Sequence, residues 1–447
     1  MIRFIYNLFW PIGLLFFLPG YLVKMIRRGG YRDKFGQRVG IYDHELRARL
    51  SKRESTWLHA VSVGEVNIAL KLAHALRALE PERSCVLTTT TTTGFALAHK
   101  NAPPWIEVLY TPLDYWPIMR HAFSVIRPAR IVLVEAEVWP NLVALAHECR
   151  IPTILANARL SPRSEGRFRR FRFFVAPIFR LLDLVCAQEL DDVERWVAIG
   201  VARDRIRAVG SIKYDPNGRD QASKAQGKGE EAGLCRGDRE RPVLFGGSTH
   251  RGEEEILARI FLRLRQQFPL LRLFIAPRHV ERLREIRAQF GSLPLRVALA
   301  SEVAIGSESD ADCIVLDTTG DLHHWYAIAT IVFMGKSLTA HGGQNPVEPI
   351  IAGKPVVFGP HMENFATLAK ALLLKKGAIQ IADIDSLERT TAELLRDREA
   401  RKRLVQHARE VLNEHQGATA RTAALIHELQ SRQNYRHKES QQRRRAT

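Results

Sequence analysis

The chain has 447 residues, of which 46% are hydrophobic and 26% are charged. This composition excludes an intrinsically disordered protein and allows two or three domains. Its 66 Lys and Arg residues against 48 Asp and Glu give a formal charge of +18, which favours anionic partners such as nucleic acid, phospholipid or a phosphorylated substrate. The five cysteines form no C-x-x-C pair, so neither a disulfide framework nor a cysteine zinc site is indicated.

The most apolar stretch lies at the N-terminus, and we interpret residues 1–25 as a membrane anchor. The run FIYNLFWPIGLLFFLPGYLV is about 20 residues long, enough to cross a bilayer as a helix. The basic segment KMIRRGGYRDKFGQR follows and predicts that the rest of the chain is cytoplasmic. Two prolines and Asn7 weaken a straight spanning helix, so an anchor lying in the interface stays open, as does a buried N-terminal helix.

Two further domains are indicated by apolar runs that alternate with amphipathic stretches. In residues 26–215 the predicted strands are TWLHAV, SCVLTTTTTTG, IEVLYTP, RIVLVEAEVWP, PTILANARL and LVCAQ, a pattern typical of a parallel sheet covered on both faces. Residues 216–241 form a polar interdomain segment, residues 242–429 a second such domain with terminal helices, and residues 430–447 a basic disordered tail. The predicted fold is therefore α/β, with two Rossmann-like domains facing a cleft.

Glu65 follows the first predicted strand, in the stretch SVGEVNIAL. An acid in the first turn of a helix is common and mildly stabilising through the helix dipole, so Glu65 alone is first explained as a helix-start residue. The same position lies above the carboxyl end of a strand, where ligands bind. There a glutamate could also accept a proton from an attacking hydroxyl.

Two more residues of the first domain are candidates for a site. Glu135 opens EAEVWPN at the end of an apolar strand, and strand alternation implies that only one of Glu135 and Glu137 need face the cleft. Lys213, in GSIKYD, stands in an apolar context where an ammonium could balance an anionic ligand. Two acids on neighbouring strand ends are moderately specific for a site.

The second domain offers glycine-containing turns at strand ends, which suit phosphate binding through backbone N–H groups. The turns are FGGSTHRGEE with Ser248 and Thr249, APRH with Arg278, DTTGD, and MGKSLTAHGGQNPVEP with Asn345 and Glu348. None is a P-loop or a dinucleotide fingerprint. The D-x-D of Asp310 and Asp312 and the pair His323-His324 are weak metal signals, so we expect no metal.

Together, in this order, several motifs resemble those of the 3-deoxy-D-manno-oct-2-ulosonic acid (Kdo) transferases of Gram-negative lipopolysaccharide assembly. The motifs are SVGE, TTTTTTG, EAEVWPN, NARLSPRS, GSIKYD, STHRGEE, PRH, DTTGDL, GGQNPVEP and FGPHMENF. The resemblance implies a two-domain glycosyltransferase B fold and an inverting transfer of Kdo from CMP-Kdo, without metal or other cofactor. It also implies that the acceptor is the acylated glucosamine disaccharide bisphosphate precursor of lipid A, at the cytoplasmic face of the inner membrane.

The resemblance assigns roles by motif. Glu65 becomes the proton acceptor, and Glu135 and Lys213 become stabilisers of the transition state. The residues assigned to the CMP moiety are Pro277, Arg278, Thr319, Gly320, Asp321, Asn345, Pro346, Val347 and Glu348, and Ser248 and Thr249 are possible donor contacts. Three residues depart from the family pattern, which often has Glu at Asp321, Gly at Lys336 and His at Gln344; we interpret these departures as tuning.

Two alternatives stay open. One is another transferase of the same fold that moves a sugar from a UDP-sugar to a lipid, and the other is a membrane-tethered protein that binds anions without catalysis. A nucleic-acid partner is not predicted, because no recognition module accompanies the basic tail. Anionic lipid of the inner membrane is the predicted partner of the anchor and its basic flank. The sequence leaves open the number of Kdo residues transferred and the oligomeric state.

Overall fold

The computed structural model describes residues 3–10, 12–13, 15–16, 20, 34–160, 162–215, 241–302, 310–317 and 322–431. Contacts divide the chain into two units, one of Met1–Gly218 with His415–Thr447 and one of Arg219–Glu414. Thr319, Gly320 and Asp321 lie outside the described residues, as do the predicted interdomain segment up to residue 240 and the tail from residue 432 onward.

The first unit contains, among its described residues, a sheet of seven parallel strands in the order β3-β2-β1-β4-β5-β6-β7. The strands are Ser55–Ala60 (β1), Ser84–Thr89 (β2), Ile106–Tyr110 (β3), Pro128–Val134 (β4), Thr153–Ala158 (β5), Leu184–Ala187 (β6) and Ile206–Ala208 (β7). Trp57 and Leu58 of β1 lie in different hydrophobic clusters, because successive side chains of a strand point to opposite faces. Both faces of the sheet are therefore covered, as the continuous apolar runs predict.

Helices connect these strands. They are His44–Leu50 (α1), Val63–Leu79 (α2), Thr92–Asn101 (α3), Trp116–Ile126 (α4), Pro140–Glu148 (α5), Pro162–Arg170 (α6), Arg172–Phe179 (α7) and Leu190–Ala198 (α8), with short 3-10 helices at Phe35–Val39 and Arg203–Arg205. A C-terminal helix over residues 418–431 also belongs to this unit.

The chain returns to the first unit at His415, earlier than the predicted end of the second domain at residue 429. Asp215 holds this segment, since its carboxylate accepts the backbone N–H groups of Gly417 at 3.0 Å and Thr419 at 2.8 Å. Ile426 of the C-terminal helix is fully buried in the core of the first unit. The apolar face of this helix therefore completes the first domain, which local sequence patterns do not reveal.

The second unit contains, in its described part, a parallel sheet of seven strands in the order β10-β11-β9-β8-β12-β13-β14. The strands are Val243–Thr249 (β8), Arg272–Pro277 (β9), Val297–Leu299 (β10), Cys313–Val315 (β11), Ile331–Met334 (β12), Val356–Phe358 (β13) and Ile379–Gln380 (β14). The helices are Glu253–Leu264 (α9), Leu283–Phe290 (α10), Leu322–Tyr326 (α11), Val347–Ile351 (α12), Ala366–Leu374 (α13), Ile384–Arg396 (α14) and Arg398–Asn413 (α15), with 3-10 turns at Val280–Arg282, Ala300–Glu302 and Glu363–Phe365.

Each sheet has one point at which the chain order reverses. In the first sheet β1 lies between β2 and β4, and in the second sheet β8 lies between β9 and β12. Connections leave in opposite directions at such a point, which opens a crevice at the carboxyl ends of the strands, where open α/β sheets bind ligands. Glu65 and Glu135 follow β1 and β4, so both predicted acids lie at the switch point of the first sheet.

The described residues of the predicted anchor begin with a helix over residues 3–10 that packs on the first unit. Trp10 stacks on Tyr115 with ring centroids 5.0 Å apart, and two amide hydrogen bonds join Asn7 and Asn141. The opposite face carries exposed apolar side chains, among them Phe4, which is 71% exposed. In the part of the chain that the structure describes, no helix combines the length and hydropathy needed to cross a bilayer.

Candidate active site

Glu65 lies in the first turn of α2 and is held there by hydrogen bonds to both carboxylate oxygens. The Ser62 hydroxyl donates to Oε1 at 2.8 Å, and the backbone N–H of Val61 donates to Oε2 at 2.8 Å. Ser62 Oγ in turn accepts the backbone N–H of Glu65 at 3.3 Å, which caps the helix. Glu65 is 8% exposed, and this burial raises its pKa, although the hydrogen bonds act in the opposite direction. A fixed carboxylate with a raised pKa is suited to act as a general base.

Glu135 directly follows β4 and ends it. Its φ of 62° lies in the left-handed region, which is uncommon for a residue other than glycine and is often found at functional sites. Its backbone N–H donates to the carbonyl of Ala156 on β5 at 2.9 Å. Burial and then the Glu65 carboxylate raise the pKa of Glu135, while the charges of Lys213 and Arg159 lower it. The structure therefore brings Glu65, Glu135 and Lys213 into one electrostatic environment.

Glu137 joins the same environment, although strand alternation implied that only one acid of EAEVWPN need face the site. Burial, the Glu65 carboxylate and the Glu135 carboxylate raise the pKa of Glu137 to about 7. Its Oε2 accepts the indole N–H of Trp139 at 3.2 Å, which lowers the pKa in part. Alternation fails here because β4 stops at Val134 and the left-handed turn redirects the chain. Glu137 belongs to the motif EAEVWPN, which the sequence analysis selected. The position of its side chain, however, depends on the left-handed turn at Glu135.

Lys213 lies on a segment that Asn157 and Lys71 hold against the first sheet. Asn157 Oδ1 accepts the backbone N–H of Ile212 at 2.9 Å and the hydroxyl of Ser211 at 3.3 Å. The ammonium of Lys71, on the same helix as Glu65, donates to the Ile212 carbonyl at 3.2 Å. Burial lowers the pKa of Lys213, and the Glu135 carboxylate opposes that shift. Asn157 has a φ of 53°, and sequence reasoning missed its role, although it belongs to the quoted motif NARLSPRS.

His59 is a further buried group beside this site, on β1. Its Nδ1 lies 3.1 Å from the hydroxyl of Thr88, and its ring meets the indole of Trp139 edge to face at a centroid distance of 5.7 Å. Burial lowers the pKa of His59 to about 4, so the ring is neutral at physiological pH. Its Nε2 makes no hydrogen bond within the described residues. Sequence analysis did not select it, because one histidine in an apolar strand is an ordinary core residue.

The second unit has its own crevice, whose loops are joined by Glu253. This carboxylate is fully buried at the start of α9. Its Oε2 accepts the N–H groups of His250 at 2.8 Å and Lys336 at 2.7 Å, and its Oε1 accepts those of Ser337 and Leu338, both at 3.1 Å. Glu253 thereby fixes the turns after β8 and β12 against each other, a structural role that sequence analysis missed.

The residues near β8 and β9 that are predicted to contact the donor differ in the exposure of their side chains. Arg278 is exposed beyond the end of β9, and its backbone N–H donates to the carbonyl of Thr249 at 3.0 Å, while Pro277 is buried. Ser248 takes a left-handed φ of 52° and stays partly exposed. Thr249 differs from expectation, because its side chain is fully buried and its hydroxyl donates to Glu254 at 3.0 Å. Its side chain therefore supports the loop instead of facing a ligand.

A positive field surrounds these loops. The pKa of His250 is lowered to about 4, first by burial and then by four nearby groups, namely Lys336, His279, Arg282 and Arg278. Gln344 places its amide nitrogen 3.3 Å from His250 Nε2. A crevice with this field favours an anion such as the phosphate of a nucleotide.

The NPVE residues begin α12. Asn345 Oδ1 accepts the backbone N–H of Val347 at 3.2 Å, Pro346 precedes the helix, and Glu348 lies in its first turn. These four residues therefore belong to one short turn at the switch-point side of the second sheet, after β12.

The sequence predicts no metal, whereas the described residues include one group of side chains that could hold an ion. Asp312 carries ion pairs to Arg265 at 2.7 Å and Arg296 at 3.2 Å, so its D-x-D serves the structure of the second unit. Among the described residues, His341, His361 and Glu363 are close enough to share an ion: their nearest ligand atoms lie within 4.8 Å of one another. This group is largely exposed and was not selected from the sequence, because His361 and Glu363 follow His341 by 20 residues or more.

The chain is similar to known proteins in both sequence and fold. Residues 33–216 match the family model described as 3-Deoxy-D-manno-octulosonic-acid transferase (kdotransferase). The chain is 31% identical to a 3-deoxy-D-manno-octulosonic acid transferase of Haemophilus influenzae over 89% of this chain and 91% of that protein. It is 30% identical to the Bordetella pertussis protein of the same name over 82% and 85%. Its fold is similar to that of the glycotransferase of kitacinnamycin, with a TM-score of 0.52 and 15% identity over 85% of this chain and 99% of that chain.

Proposed function

The chain belongs to the family of 3-deoxy-D-manno-octulosonic acid (Kdo) transferases, and we propose that Glu65 is the base of the reaction. It is a glycosyltransferase of two parallel-sheet α/β domains that transfers Kdo in lipopolysaccharide biosynthesis. The observation that carries the proposal is the buried Glu65 carboxylate at the switch point, with Glu135 and Lys213 in its electrostatic environment.

The hydroxyl of the acceptor, the acylated glucosamine disaccharide bisphosphate, attacks the anomeric carbon of Kdo. As the new carbon–oxygen bond forms, the bond from that carbon to the phosphate oxygen of CMP breaks and its electron pair leaves with CMP. Glu65 accepts the hydroxyl proton, and a single displacement inverts the anomeric centre. Ser62 and Val61 support this role because they orient the carboxylate while each oxygen keeps a free lone pair.

Glu135 and Lys213 stabilise the transition state. Positive charge develops on the sugar ring as the phosphate departs, and a buried carboxylate such as Glu135 attracts that charge strongly. The ammonium of Lys213 is complementary to negative charge on the donor, and its buried position makes that attraction larger than in water.

The donor in this proposal is CMP-Kdo, bound at the crevice of the second unit. Arg278 and Lys336 supply positive charge, and the turns before α9 and α12 supply backbone N–H groups for the phosphate. Pro277, Asn345, Pro346, Val347, Glu348, Thr319, Gly320 and Asp321 are proposed to complete the CMP contacts. The chemistry needs no metal, because these cations neutralise the departing phosphate.

The enzyme is proposed to work at the cytoplasmic face of the inner membrane. Exposed apolar side chains on the N-terminal helix support this, and so does a stretch of alternating Arg and Phe from α6 into α7. In that stretch Phe171, Phe173 and Phe174 are 48 to 70% exposed beside basic side chains. Aromatic and basic residues together suit an anionic bilayer surface, where the lipid acceptor lies.

The test is product mass. The purified full-length protein is incubated with CMP-Kdo and the lipid A precursor, and mass spectrometry reads the mass added, which also gives the number of Kdo residues. We expect addition of Kdo and stronger inhibition by CMP than by UDP. A product that forms from a UDP-sugar and not from CMP-Kdo would contradict the proposal and support a different sugar transferase.

A further inference from the structure

A cavity lies in the second unit, away from the crevice described above. It has a volume of about 650 Å³ and is bordered by the residues that precede β12 and β13, including Thr330 and Lys354. Ligand crevices of open α/β sheets lie at the carboxyl ends of strands, and this cavity lies at the amino ends. We call it the amino-edge pocket. It is distinct from the turns after β12 that are proposed to contact CMP.

The lining of the amino-edge pocket is strongly basic. Helix α15 contributes four cations, namely Arg398, Arg401, Lys402 and Arg409, and the turn before β13 contributes Lys354. Arg401, Lys402 and Arg409 follow Arg398 by three, four and eleven residues. Positions at these spacings lie on one face of a helix, so one side of α15 directs these groups at the cavity. Glu410 is the acidic side chain among the lining residues.

Several of these cations are held in place. The guanidinium of Arg401 donates to the backbone carbonyls of Leu394 and Leu395, the latter at 3.0 Å, which fixes it against the end of α14. Gly353 has a φ of 75°, and a Cβ added there would lie 2.8 Å from Arg409 Nη2, so the glycine lets the arginine approach the turn. The cavity is therefore a defined arrangement of charges on two packed elements.

The lining of the pocket holds five basic side chains and one acidic side chain. Burial lowers the pKa of Lys354, and burial together with the charge of Arg398 lowers the pKa of Arg401, which the charge of Asp397 opposes. Lys402 has a partner, because its ammonium lies 2.7 Å from Glu399. Concentrating like charges around one cavity costs free energy that a bound anion offsets.

We propose that the amino-edge pocket binds a ligand with two or more phosphate charges, such as a pyrophosphate or a phosphomonoester group. Arginine side chains bind phosphate with paired N–H groups, and a cavity of this size accommodates a small phosphorylated molecule or a lipid headgroup. The proposal does not depend on Kdo transfer, because it concerns binding at a separate place in the second unit. Its alternative is a solvated basic surface without saturable binding.

The first test measures binding of inorganic pyrophosphate to the full-length protein by calorimetry, with CMP present in saturating amount to occupy the other crevice. The variant Arg398→Gln with Arg409→Gln removes two exposed cations of the pocket, so folding is expected to be unaffected. The control variant Lys370→Gln with Arg389→Gln removes the same charge from exposed positions of the second unit outside the pocket. We expect affinity to fall at least tenfold in the pocket variant and less than twofold in the control.

The second test distinguishes the source of the phosphate. Retention of the same three proteins is measured on phosphatidylcholine vesicles with and without phosphatidic acid. Selective loss of retention in the pocket variant assigns a lipid headgroup, whereas loss of pyrophosphate binding with unchanged retention assigns a soluble ligand. Equal behaviour of the pocket and control variants in both tests, or pyrophosphate binding that CMP abolishes, would overturn the proposal.

Discussion

Ser62 and Glu65 are joined by hydrogen bonds in both directions, since the Ser62 hydroxyl donates to the Glu65 carboxylate and accepts the Glu65 backbone N–H. One serine thereby caps α2 and orients the proposed base. The ordinary helix-start role of Glu65 and its proposed chemistry are thus compatible, because the cap that stabilises the helix also fixes the carboxylate.

Replacing Ser62 with Ala is expected to lower kcat about tenfold and to reduce stability by about 1 kcal/mol, the usual value of a lost helix cap. Steady-state kinetics and thermal unfolding measure the two effects. Asp43→Ala is the matched control, because Asp43 caps α1 by accepting the N–H of Leu46 at 2.7 Å. That variant should lose similar stability and keep its kcat. Equal kcat losses in both variants would show that Ser62 acts through stability alone.

Glu137→Gln is expected to change how stability depends on pH. The folded pKa of Glu137 is raised from 4.5 to about 7, so the folded state keeps a proton that the unfolded chain loses near pH 4.5. The associated stability is full below pH 4.5 and is lost as the pH rises to about 7. The variant should therefore match the parent at pH 4.5 and exceed it at pH 8, by up to about 3 kcal/mol. Thermal unfolding at both pH values measures this, and an equal difference at the two values would contradict it.

Asn157→Ala is expected to reduce kcat through Lys213. The substitution removes the oxygen that holds Ser211 and Ile212 and leaves a buried N–H without its acceptor, at a cost of about 1–3 kcal/mol. Asn157→Asp keeps an acceptor oxygen and should restore part of the activity. A rescue in kcat that exceeds the rescue in thermal stability identifies a positioning role, whereas parallel changes in the two would contradict it.

Activity is expected to be unaffected by EDTA. The candidate ion group of His341, His361 and Glu363 contains none of the residues proposed for the chemistry, and Asp312 is engaged by Arg265 and Arg296. The double variant His341→Ala with His361→Ala should also retain the parent rate in the Kdo transfer assay. A large loss on chelation that added metal restores would instead require a metal in the reaction.

The sequence predicted the two α/β domains because buried parallel strands are continuous apolar runs, of which TWLHAV is an example. It also predicted that Glu65 and Glu135 lie just beyond strand ends, since each follows such a run. The environments of Glu137 and Asn157 could not be predicted, because both depend on left-handed backbone turns at residues 135 and 157. Glu253 accepts the backbone N–H of Lys336 and His415 Nδ1 accepts the backbone N–H of Ser211, each across more than 80 residues of sequence, and such contacts leave no local pattern.

The central claim is that Glu65 removes the proton of the acceptor hydroxyl, and Glu65→Gln tests it most directly. Glutamine keeps the shape, and its single carbonyl oxygen can accept the Val61 N–H while its amide N–H donates to the Ser62 hydroxyl, but it cannot act as a base. Glu45→Gln is the control, because Glu45 is an exposed acid in the first turn of α1. We expect Glu65→Gln to transfer Kdo about 100- to 10,000-fold more slowly with normal CMP binding, and the control to match the parent. A Glu65→Gln rate close to that of the parent would contradict the account.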